Sequence, residues 1–227
     1  MNKFSKVKLG KRLTRIESTV DMGYDHIWDC CCDHGLLGFQ LLEKDKAKHV
    51  HFVDIVAPLL VDIEAKLKRF YQGESEWHVH CIDVALLPIK QYKDETHLLI
   101  IAGIGGQLLI EILEKLLPLT IGLNIEFVLS PVHHNYQLRS FLSSNNYALI
   151  TESIVEENNR FYEVLHIKNS PGKPISLVGD IMWDFSHSHH QSYLLQIINH
   201  YQRIAKNPNV DVEEIIRAYQ ALKLFPR

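Results

Sequence analysis

A single stretch near the N-terminus, residues 26–45, constrains the fold of this chain more than any other part of it. The segment Ile27-Trp28-Asp29 has the apolar character of a buried strand, and a helical segment follows Gly35. The residues from Asp29 to Gly35 have the length of a D-x-G-x-G-x-G turn, in which only the last glycine is kept. Glycines in such a turn let the backbone adopt positive φ and approach a ligand. The stretch is therefore typical of a nucleotide-cofactor site at the end of a first strand.

The segments that follow alternate between short apolar strands and helices. Strands are predicted at 49–54, 78–83, 97–102 and 125–130, and helices at 57–70, 107–116 and 136–144. The run 97–102, HLLIIA, is continuously apolar, which is the pattern of a central parallel strand buried on both faces. Two further strands, 147–156 and 161–167, flank the turn sequence Glu157-Asn-Asn-Arg160 and predict a final antiparallel hairpin. The fold class is therefore α/β, with a mostly parallel sheet.

The C-terminal quarter of the chain does not continue the alternation of strands and helices. Residues 168–180 contain two prolines and two glycines and are predicted to form a linker. Apolar residues at helical spacing then predict one helix from about Tyr193 to Ile204 and a second that opens at Asp211-x-x-Glu214, a possible capping box. We therefore expect a domain at 1–167 and a second unit at 168–227, in which two antiparallel helices form an appendage.

Acidic residues and glycines lie where the predicted strands end. Asp54 ends the second strand, 25 residues beyond Asp29, where a carboxylate can accept hydrogen bonds from both hydroxyls of a ribose. Asp83 ends the third strand, and the glycine turn 103–106 follows the fourth. The carboxyl ends of parallel strands share one edge of the sheet, so these residues are expected to meet there. Strand-terminal aspartates and glycine turns are also common for reasons of packing alone.

The net charge of −3 means that any contact with nucleic acid requires a local basic patch. Residues 7–20 predict an amphipathic helix that keeps its basic side chains away from its apolar face. The helix is either a nucleic-acid surface or a solvated face. The basic residues that precede the first acidic residue are Lys3, Lys6, Lys8, Lys11, Arg12 and Arg15.

Cysteine and histidine usage argues against disulfides and metal. Three of the four cysteines are consecutive, at 30–32, so they form neither a disulfide framework nor a C-x-x-C motif, and we expect them to pack beneath the loop. The histidines at 133–134 and at 187, 189 and 190 have no carboxylate or thiolate at ligand spacing, so we predict no metal site. The absence of a long apolar run or a signal peptide leads us to expect a cytoplasmic protein.

Several segments resemble one family, the bacterial tRNA methyltransferases that modify N1 of the adenine at position 22. The matching segments are LGKRLTRIESTV, the Asp-Cys-Cys-Cys-Asp-His turn at 29–34, IAGIGGQLL at 101–109, LSPVHHNYQLRSFL at 129–142 and EENNRFYEVL at 156–165. The resemblance implies a Rossmann-like methyltransferase sheet, S-adenosylmethionine as the cofactor and tRNA as the substrate. The family also has a helical C-terminal domain. In the turn, Cys30-Cys31-Cys32 stands where the family typically has Ile-Gly-Ser.

The resemblance, together with the strand ends, assigns roles to particular residues. Asp33 is the candidate catalytic base, supported by His34, although an aspartate there could instead cap the next helix. The residues expected to bind the cofactor are Asp29, Gly35, Asp54, Ile55, Asp83, Val84, Ala102 and Gly103. The residues expected to bind the substrate are Lys8, Lys11, Arg12, Arg15, Gly105, Gly106 and Pro131.

Three alternatives to this function remain at the level of the sequence. The chain could be a non-catalytic RNA-binding protein in which the glycine turn has decayed, and such a protein would bind little or no S-adenosylmethionine. It could also be a methyltransferase that acts on another RNA. A nucleotide-dependent oxidoreductase is disfavoured, because most dehydrogenase sheets stay parallel in their second half.

Overall fold

The computed structural model describes residues 8–222, which form a mixed sheet flanked by helices. The strands are β1 (Tyr24–Cys30), β2 (Ala47–Asp54), β3 (Glu76–Cys81), β4 (Thr96–Ala102), β5 (Asn124–Ser130), β6 (Ala148–Glu157), β7 (Arg160–Lys168) and β8 (Lys173–Pro174). The helices are α1 (Lys11–Thr19), α2 (Leu36–Glu43), α3 (Ala57–Phe70), α4 (Gly106–Thr120), α5 (Asn135–Ser144), α6 (Ser188–Ile204) and α7 (Glu213–Ala221).

The strand order of the sheet is β3-β2-β1-β4-β5-β7-β6-β8. The first five strands in this order are parallel, whereas β7 is antiparallel to both β5 and β6. The order reverses between β1 and β4, which is the switch point at which open α/β sheets bind ligands. The predicted Rossmann-like sheet with a final antiparallel hairpin is therefore confirmed.

Apolar side chains cover both faces of the sheet. In β4, Leu98 and Ile100 belong to the core cluster beneath α2 and α3, while Leu99 and Ile101 belong to the cluster beneath α4. All four side chains are fully buried. The prediction that this strand is buried on both faces is confirmed, and burial on both faces explains why its sequence does not alternate.

The turn between β6 and β7 explains how the sheet ends. Asn158 and Asn159 both have positive φ, at 51° and 59°. Two left-handed residues in a two-residue loop are the signature of a type I′ hairpin, and asparagine tolerates this conformation better than most residues. The sequence Glu157-Asn-Asn-Arg160 therefore specifies the hairpin locally.

The C-terminal segment corrects one prediction and confirms another. The predicted linker contains β8, which pairs with β6, so it is part of the sheet. The two predicted helices are present as α6 and α7. The first of them packs against the sheet, because Leu194 and Ile198 of α6 share a core cluster with Ile154 of β6 and Phe161 of β7. Helices that bury their apolar stripe against a neighbouring sheet are held to it by the hydrophobic effect.

A buried ionic network holds this part of the fold together. Arg139 of α5 is completely buried and lies 2.7 Å from Glu152 of β6 and 2.7 Å from Glu163 of β7. The hydroxyl of Tyr193 in α6 donates to Glu163 at 2.8 Å. Burial alone would lower the pKa of Arg139, but the two carboxylates outweigh it and raise that pKa above its usual value. The arginine is therefore charged, and it joins α5, the hairpin and, through Glu163, α6.

Some element boundaries differ from the predictions. The first helix begins at Lys11 rather than at residue 7, because Gly10 has extended backbone and forms the N-cap. The third strand spans 76–81 rather than 78–83. The capping box predicted at Asp211 is wrong: Val212 is the N-cap of α7, and Asp211 accepts a bond from the amide of Glu213. Lys3 and Lys6 lie outside the described residues.

None of the helices within residues 8–222 is long and apolar enough to cross a membrane.

Candidate active site

The loop between β1 and α2 keeps the backbone of a glycine turn without its glycines. Cys31, Asp33 and Gly35 all have positive φ, at 57°, 50° and 69°. These are the three positions at which the D-x-G-x-G-x-G pattern has glycine. Aspartate tolerates left-handed backbone better than most residues, whereas cysteine has no such local compensation. The tertiary structure therefore imposes the turn on a sequence that would not adopt it alone.

Asp29 holds the base of this loop. Its carboxylate is buried and accepts a hydrogen bond of 2.9 Å from the amide of Gly38 in α2. Burial is the main reason that the pKa of Asp29 rises to about 7, with the bond from Gly38 acting in the opposite direction. Gly38 itself packs against the ring of Phe52, which a Cβ at this position would overlap. Asp29 therefore ties the end of β1 to the start of α2.

Asp54 connects the loop to the end of β2. One carboxylate oxygen accepts the amide of Asp33 at 3.1 Å, and the other accepts the amide of Val56 at 3.0 Å. Because each carboxylate oxygen has two lone pairs, both can still accept bonds from ribose hydroxyls. Asp54 therefore supports the left-handed loop and also faces the edge at which a cofactor would lie.

The loops after β4 and β5 are joined by backbone hydrogen bonds. Gly103 donates to Ser130, Val132 donates to Ile104, and Gly106 donates to His133, at 2.9 to 3.1 Å. A Cβ at Gly106 would lie within 2.8 Å of the carbonyl oxygens of His133 and His134, so no larger residue fits at this position. The two loops that we expected to line the substrate pocket therefore form one wall, with Pro131 buried at its base.

Apolar side chains project from the same edge of the sheet. Ile55 and Leu86 are among the most exposed large apolar residues, at 72% and 71%, and Leu108 and Val132 are exposed as well. Exposed apolar groups around a polar cleft are typical of a binding site. By contrast, Val84 is buried, and the Asp83 carboxylate accepts a bond from the amide of Ala85. Val84 therefore packs in the core beneath this edge of the sheet.

Arg12 is the basic residue that reaches into this site. Its guanidinium lies 4.8 Å from the ring centroid of Tyr162, and one of its terminal nitrogens lies 3.4 Å from the Cβ position of Gly103. Its Nε is buried, and no acceptor for it exists within the described part of the chain. An arginine with an unpartnered buried nitrogen beside a glycine turn is placed to bind an anionic or polar ligand.

The other basic residues of α1 lie on a separate surface. Lys8, Lys11 and Arg15 line a groove together with Glu156 of β6 and His189 of α6. No carboxylate among the described residues lies within ion-pair distance of these three cations. The N-terminal helix and the C-terminal helical segment therefore contribute to one continuous surface.

Asp33 and His34 are exposed at the mouth of the site. The side chain of Asp33 is 72% exposed, and its Oδ1 lies 3.6 Å from Nε2 of His34. The alternative role of Asp33 as a helix cap is not supported, because Gly35 is the N-cap of α2 and no side chain caps that helix. Both residues are therefore accessible to a substrate.

The consecutive cysteines are packing residues, as expected. Cys30 and Cys32 are buried in opposite core clusters, and burial raises the pKa of each thiol. Burial also raises the pKa of Cys31 to about 11. All four cysteines are free thiols.

Sequence reasoning missed three features of this edge. Leu86 lies in a Leu-Leu-Pro turn after β3, a pattern that marks a turn but no binding role, and the pattern around Tyr162 predicts only a strand. The sequence places Arg12 in one basic group with Lys11 and Arg15, although its side chain lies over Tyr162 and not in their groove. Helical periodicity predicts on which side of α1 Arg12 lies. It does not predict which residues that side of the helix contacts.

Comparison with known proteins agrees with this geometry. Residues 9–165 match the model of a family described as a methyltransferase domain. A 73-residue segment, 32% of this chain, is 40% identical to the tRNA (adenine(22)-N(1))-methyltransferase of Bacillus subtilis, of which it covers 30%.

Solved structures share the fold over almost the whole chain. The crystal structure of the B. subtilis m1A22 tRNA methyltransferase TrmK superposes with a TM-score of 0.73 at 24% identity, covering 96% of this chain and 95% of that one. M. capricolum TrmK in complex with S-adenosyl-homocysteine superposes with a TM-score of 0.69 at 19% identity, covering 94% and 93%.

Proposed function

Because the chain belongs to the methyltransferase-domain family, we propose that it transfers the methyl group of S-adenosylmethionine to N1 of adenine 22 in tRNA. The observation that carries this proposal is the left-handed backbone at residues 31, 33 and 35, next to Asp54 at the switch point of the sheet. Strained backbone of this kind clusters at functional sites, so its presence at Cys31 supports a retained ligand site. The tRNA substrate is supported by the B. subtilis relative.

The cofactor is proposed to lie across the carboxyl ends of β1, β2 and β4. Asp54 would accept the ribose hydroxyls, and Ile55 and Leu86 would hold the adenine ring between apolar side chains. Asp83, Ala102 and Gly103 would border the remaining part of the cofactor. Asp29 is buried, so its role is to fix the loop rather than to touch the cofactor.

The reaction requires alignment more than activation. The lone pair of adenine N1 attacks the methyl carbon, the carbon–sulfur bond breaks, and S-adenosylhomocysteine leaves as a neutral thioether. The methylated adenine then carries a positive charge, which is lost when its exocyclic amino group gives a proton to a base. Asp33, exposed beside His34, is the proposed acceptor of that proton.

The basic groove is proposed to hold the tRNA backbone. Lys8, Lys11 and Arg15 would contact phosphates, and the unit 168–227 would extend this surface through His189. Because N1 lies on the Watson–Crick edge, a paired adenine must be extruded before it reacts. Arg12, beside Gly103, would then hold the extruded nucleotide. A tRNA substrate also implies that the protein acts in the cytoplasm.

Calorimetric titration with S-adenosylmethionine, followed by methyl transfer to transcribed tRNA, tests the proposal. We expect saturable binding of the cofactor and incorporation of one methyl group, which is lost when adenine 22 of the tRNA is replaced by guanine. A protein that binds tRNA but not the cofactor would be a non-catalytic RNA-binding protein. Methylation that persists without adenine 22 would indicate a different target nucleotide.

The proposed roles of Asp33 and Asp54 predict opposite effects on binding and turnover. Asp33→Ala should abolish methyl transfer and leave cofactor affinity within a few-fold of wild type. Asp54→Ala should weaken cofactor binding through lost ribose bonds, which are worth about 1.5–3 kcal/mol when the acceptor is charged. Equal loss of cofactor affinity in both variants would contradict the assignment of Asp33 to the chemical step.

A further inference from the structure

Histidines on four neighbouring strands share one face of the sheet. The two that matter most here, His49 and His78, lie in the amino-terminal halves of β2 and β3. The proposed methyl-transfer site uses no histidine of this face. The register of β2 and β3 places His49 opposite Glu76 and His51 opposite His78. The histidines of this face are His26, His49, His51, His78, His80 and His97.

Two of these histidines and one glutamate converge at the exposed edge of the sheet. Nδ1 of His49 lies 3.4 Å from Nε2 of His78 and 3.4 Å from Oε2 of Glu76. The same Oε2 lies 3.9 Å from Nε2 of His78. These separations are long for hydrogen bonds, which have a modal length of about 2.9 Å. They are close to the spacing of about 3.4 Å that tetrahedral zinc imposes on ligand atoms at about 2.1 Å from the metal.

We propose that His49, Glu76 and His78 bind a divalent transition-metal ion of the Zn²⁺ class, with water in the fourth position. Two imidazoles and one carboxylate are a typical donor set for zinc. The ion would join β2 to β3, the outermost strand on this side of the sheet.

The surroundings of the three ligands favour this role. The ring of His49 stacks on His26 at a centroid distance of 4.7 Å, and the ring of His78 stacks on His51, also at 4.7 Å. Both rings are thereby held in the orientation that the site requires. The site is also accessible, because Glu76 is 69% exposed and His49 and Glu76 line a surface cleft with Ser75.

A neighbouring set of ligands is less suited to a metal. His26, His49 and Glu95 also bring donor atoms within 4.8 Å of one another. However, Nε2 of His26 already bonds to Glu95 at 2.8 Å, and the His26 side chain is only 1% exposed. A metal there would have to break a short hydrogen bond inside the core.

The proposed ion would be structural rather than catalytic. His49 precedes Asp54 by five residues along β2, which corresponds to roughly 16 Å in an extended strand. An ion at that distance cannot contact the methyl donor or the adenine. Its expected effect is to stabilise the edge strand through binding to the native state alone.

Titration of the full-length, chelator-treated protein with Zn²⁺ tests the proposal. We expect one equivalent to bind and the thermal midpoint to rise when zinc is added. Glu76→Gln and His78→Ala should each weaken zinc binding at least tenfold and abolish the rise in the midpoint. Cobalt should give the intense visible absorption of a tetrahedral site with wild type and not with the variants.

Matched controls distinguish this site from other histidines and from general damage. Glu74→Gln and His200→Ala change exposed residues outside the site and should bind zinc as wild type does. The thermal midpoint in chelator reports whether each variant is folded, and exposed Glu76 provides a variant with little risk of misfolding. Wild-type affinity in Glu76→Gln and His78→Ala would overturn the proposal, as would loss of binding in His200→Ala or no saturable binding at all.

Discussion

At the scale of single residues, the loop between β1 and α2 shows a conflict between side chain and backbone. Cys31 adopts left-handed backbone with φ of 57°, and it does so next to two other left-handed residues. Such a conformation costs an ordinary residue roughly 1–2 kcal/mol. The amide of Cys32 bonds to Val53, and that of Asp33 bonds to Asp54, so β2 holds the loop in place.

We predict that Cys31→Gly stabilises the folded protein by about 1 kcal/mol. Glycine removes the steric cost of left-handed backbone, and its greater freedom in the unfolded chain offsets part of that gain. The measurement is the free energy of unfolding in urea. The matched control is Cys32→Gly, which should be destabilising, because Cys32 is buried and lies outside the set of left-handed residues. A destabilised Cys31→Gly would show that the thiol contributes more than the backbone costs.

The burial of Asp29 makes the free energy of unfolding depend on pH. Its pKa is about 7 in the folded protein, compared with a usual value of 3.8, because burial disfavours the charged carboxylate. A raised pKa means that the folded state binds the proton more tightly, so stability is fully present below about pH 4 and is lost as pH rises to 7. At about 1.4 kcal/mol per pKa unit, the upper limit of the loss is roughly 4 kcal/mol.

We therefore predict that Asp29→Asn removes the loss of stability that accompanies rising pH. The difference in unfolding free energy between variant and wild type should shift in favour of the variant between pH 5 and pH 7.5. Urea denaturation at several pH values measures it, and using the difference cancels the titration of groups common to both proteins. Parallel pH profiles would mean that the Asp29 carboxylate is ionised over the whole range.

At the scale of elements, the buried arginine determines how the hairpin and α5 are joined. Arg139 is paired with Glu152 and Glu163, and all three side chains are inaccessible to solvent. Breaking a buried ion pair from one side is costly, because the remaining charges stay in the core without a partner.

We predict that Arg139→Met destabilises the protein by about 3–5 kcal/mol. Methionine retains the length of the side chain but leaves two carboxylates unpaired, and the loss should appear as a lower midpoint in urea. Arg160→Met, at the exposed start of β7, is the matched control and should change stability by less than about 0.5 kcal/mol. If Arg139→Met lowered the stability no more than Arg160→Met does, the buried network would contribute little to the stability of the fold.

At the scale of the whole molecule, an acidic protein is proposed to bind tRNA through one basic surface. The net charge is −3, so the overall field does not attract RNA. Lys8, Lys11 and Arg15 line one groove, whereas Arg12 points toward the glycine turn. The basic residues of α1 therefore face two different surfaces, the groove and the glycine turn, and the two groups should be tested separately.

We predict that the double variant Lys11→Ala/Arg15→Ala raises the dissociation constant for tRNA and flattens its dependence on salt by about two units of slope, roughly 0.9 per phosphate contact. Cofactor affinity should not change. Lys66→Ala/Lys68→Ala removes the same charge from α3, where each lysine pairs with an acidic neighbour, and should leave the slope intact. Equal slopes in the two double variants would show that α1 is only a solvated surface.

The fold class, the alternation of strands and helices and the final antiparallel hairpin could all be predicted from the sequence alone. These features follow from local patterns: the continuous apolar run of β4, the acids and glycines at strand ends, and the two asparagines of the hairpin turn. The sequence also indicated that Asp54 and the glycine turn share one edge, because the ends of parallel strands meet there.

Features that depend on contacts between residues distant in the chain could be seen only in the folded structure. Cys31 and Asp33 keep the glycine turn because β2 fixes the loop, and the partners of Arg139 and the position of Arg12 depend on how helices pack on the sheet. The proposed metal ligands show no local ligand spacing in the sequence. His49 and Glu76 are 27 residues apart, and their proximity follows only from the pairing of β2 with β3. The alternation of each strand decides which of its faces is buried, but which strands become neighbours depends on segments that are far apart in the chain.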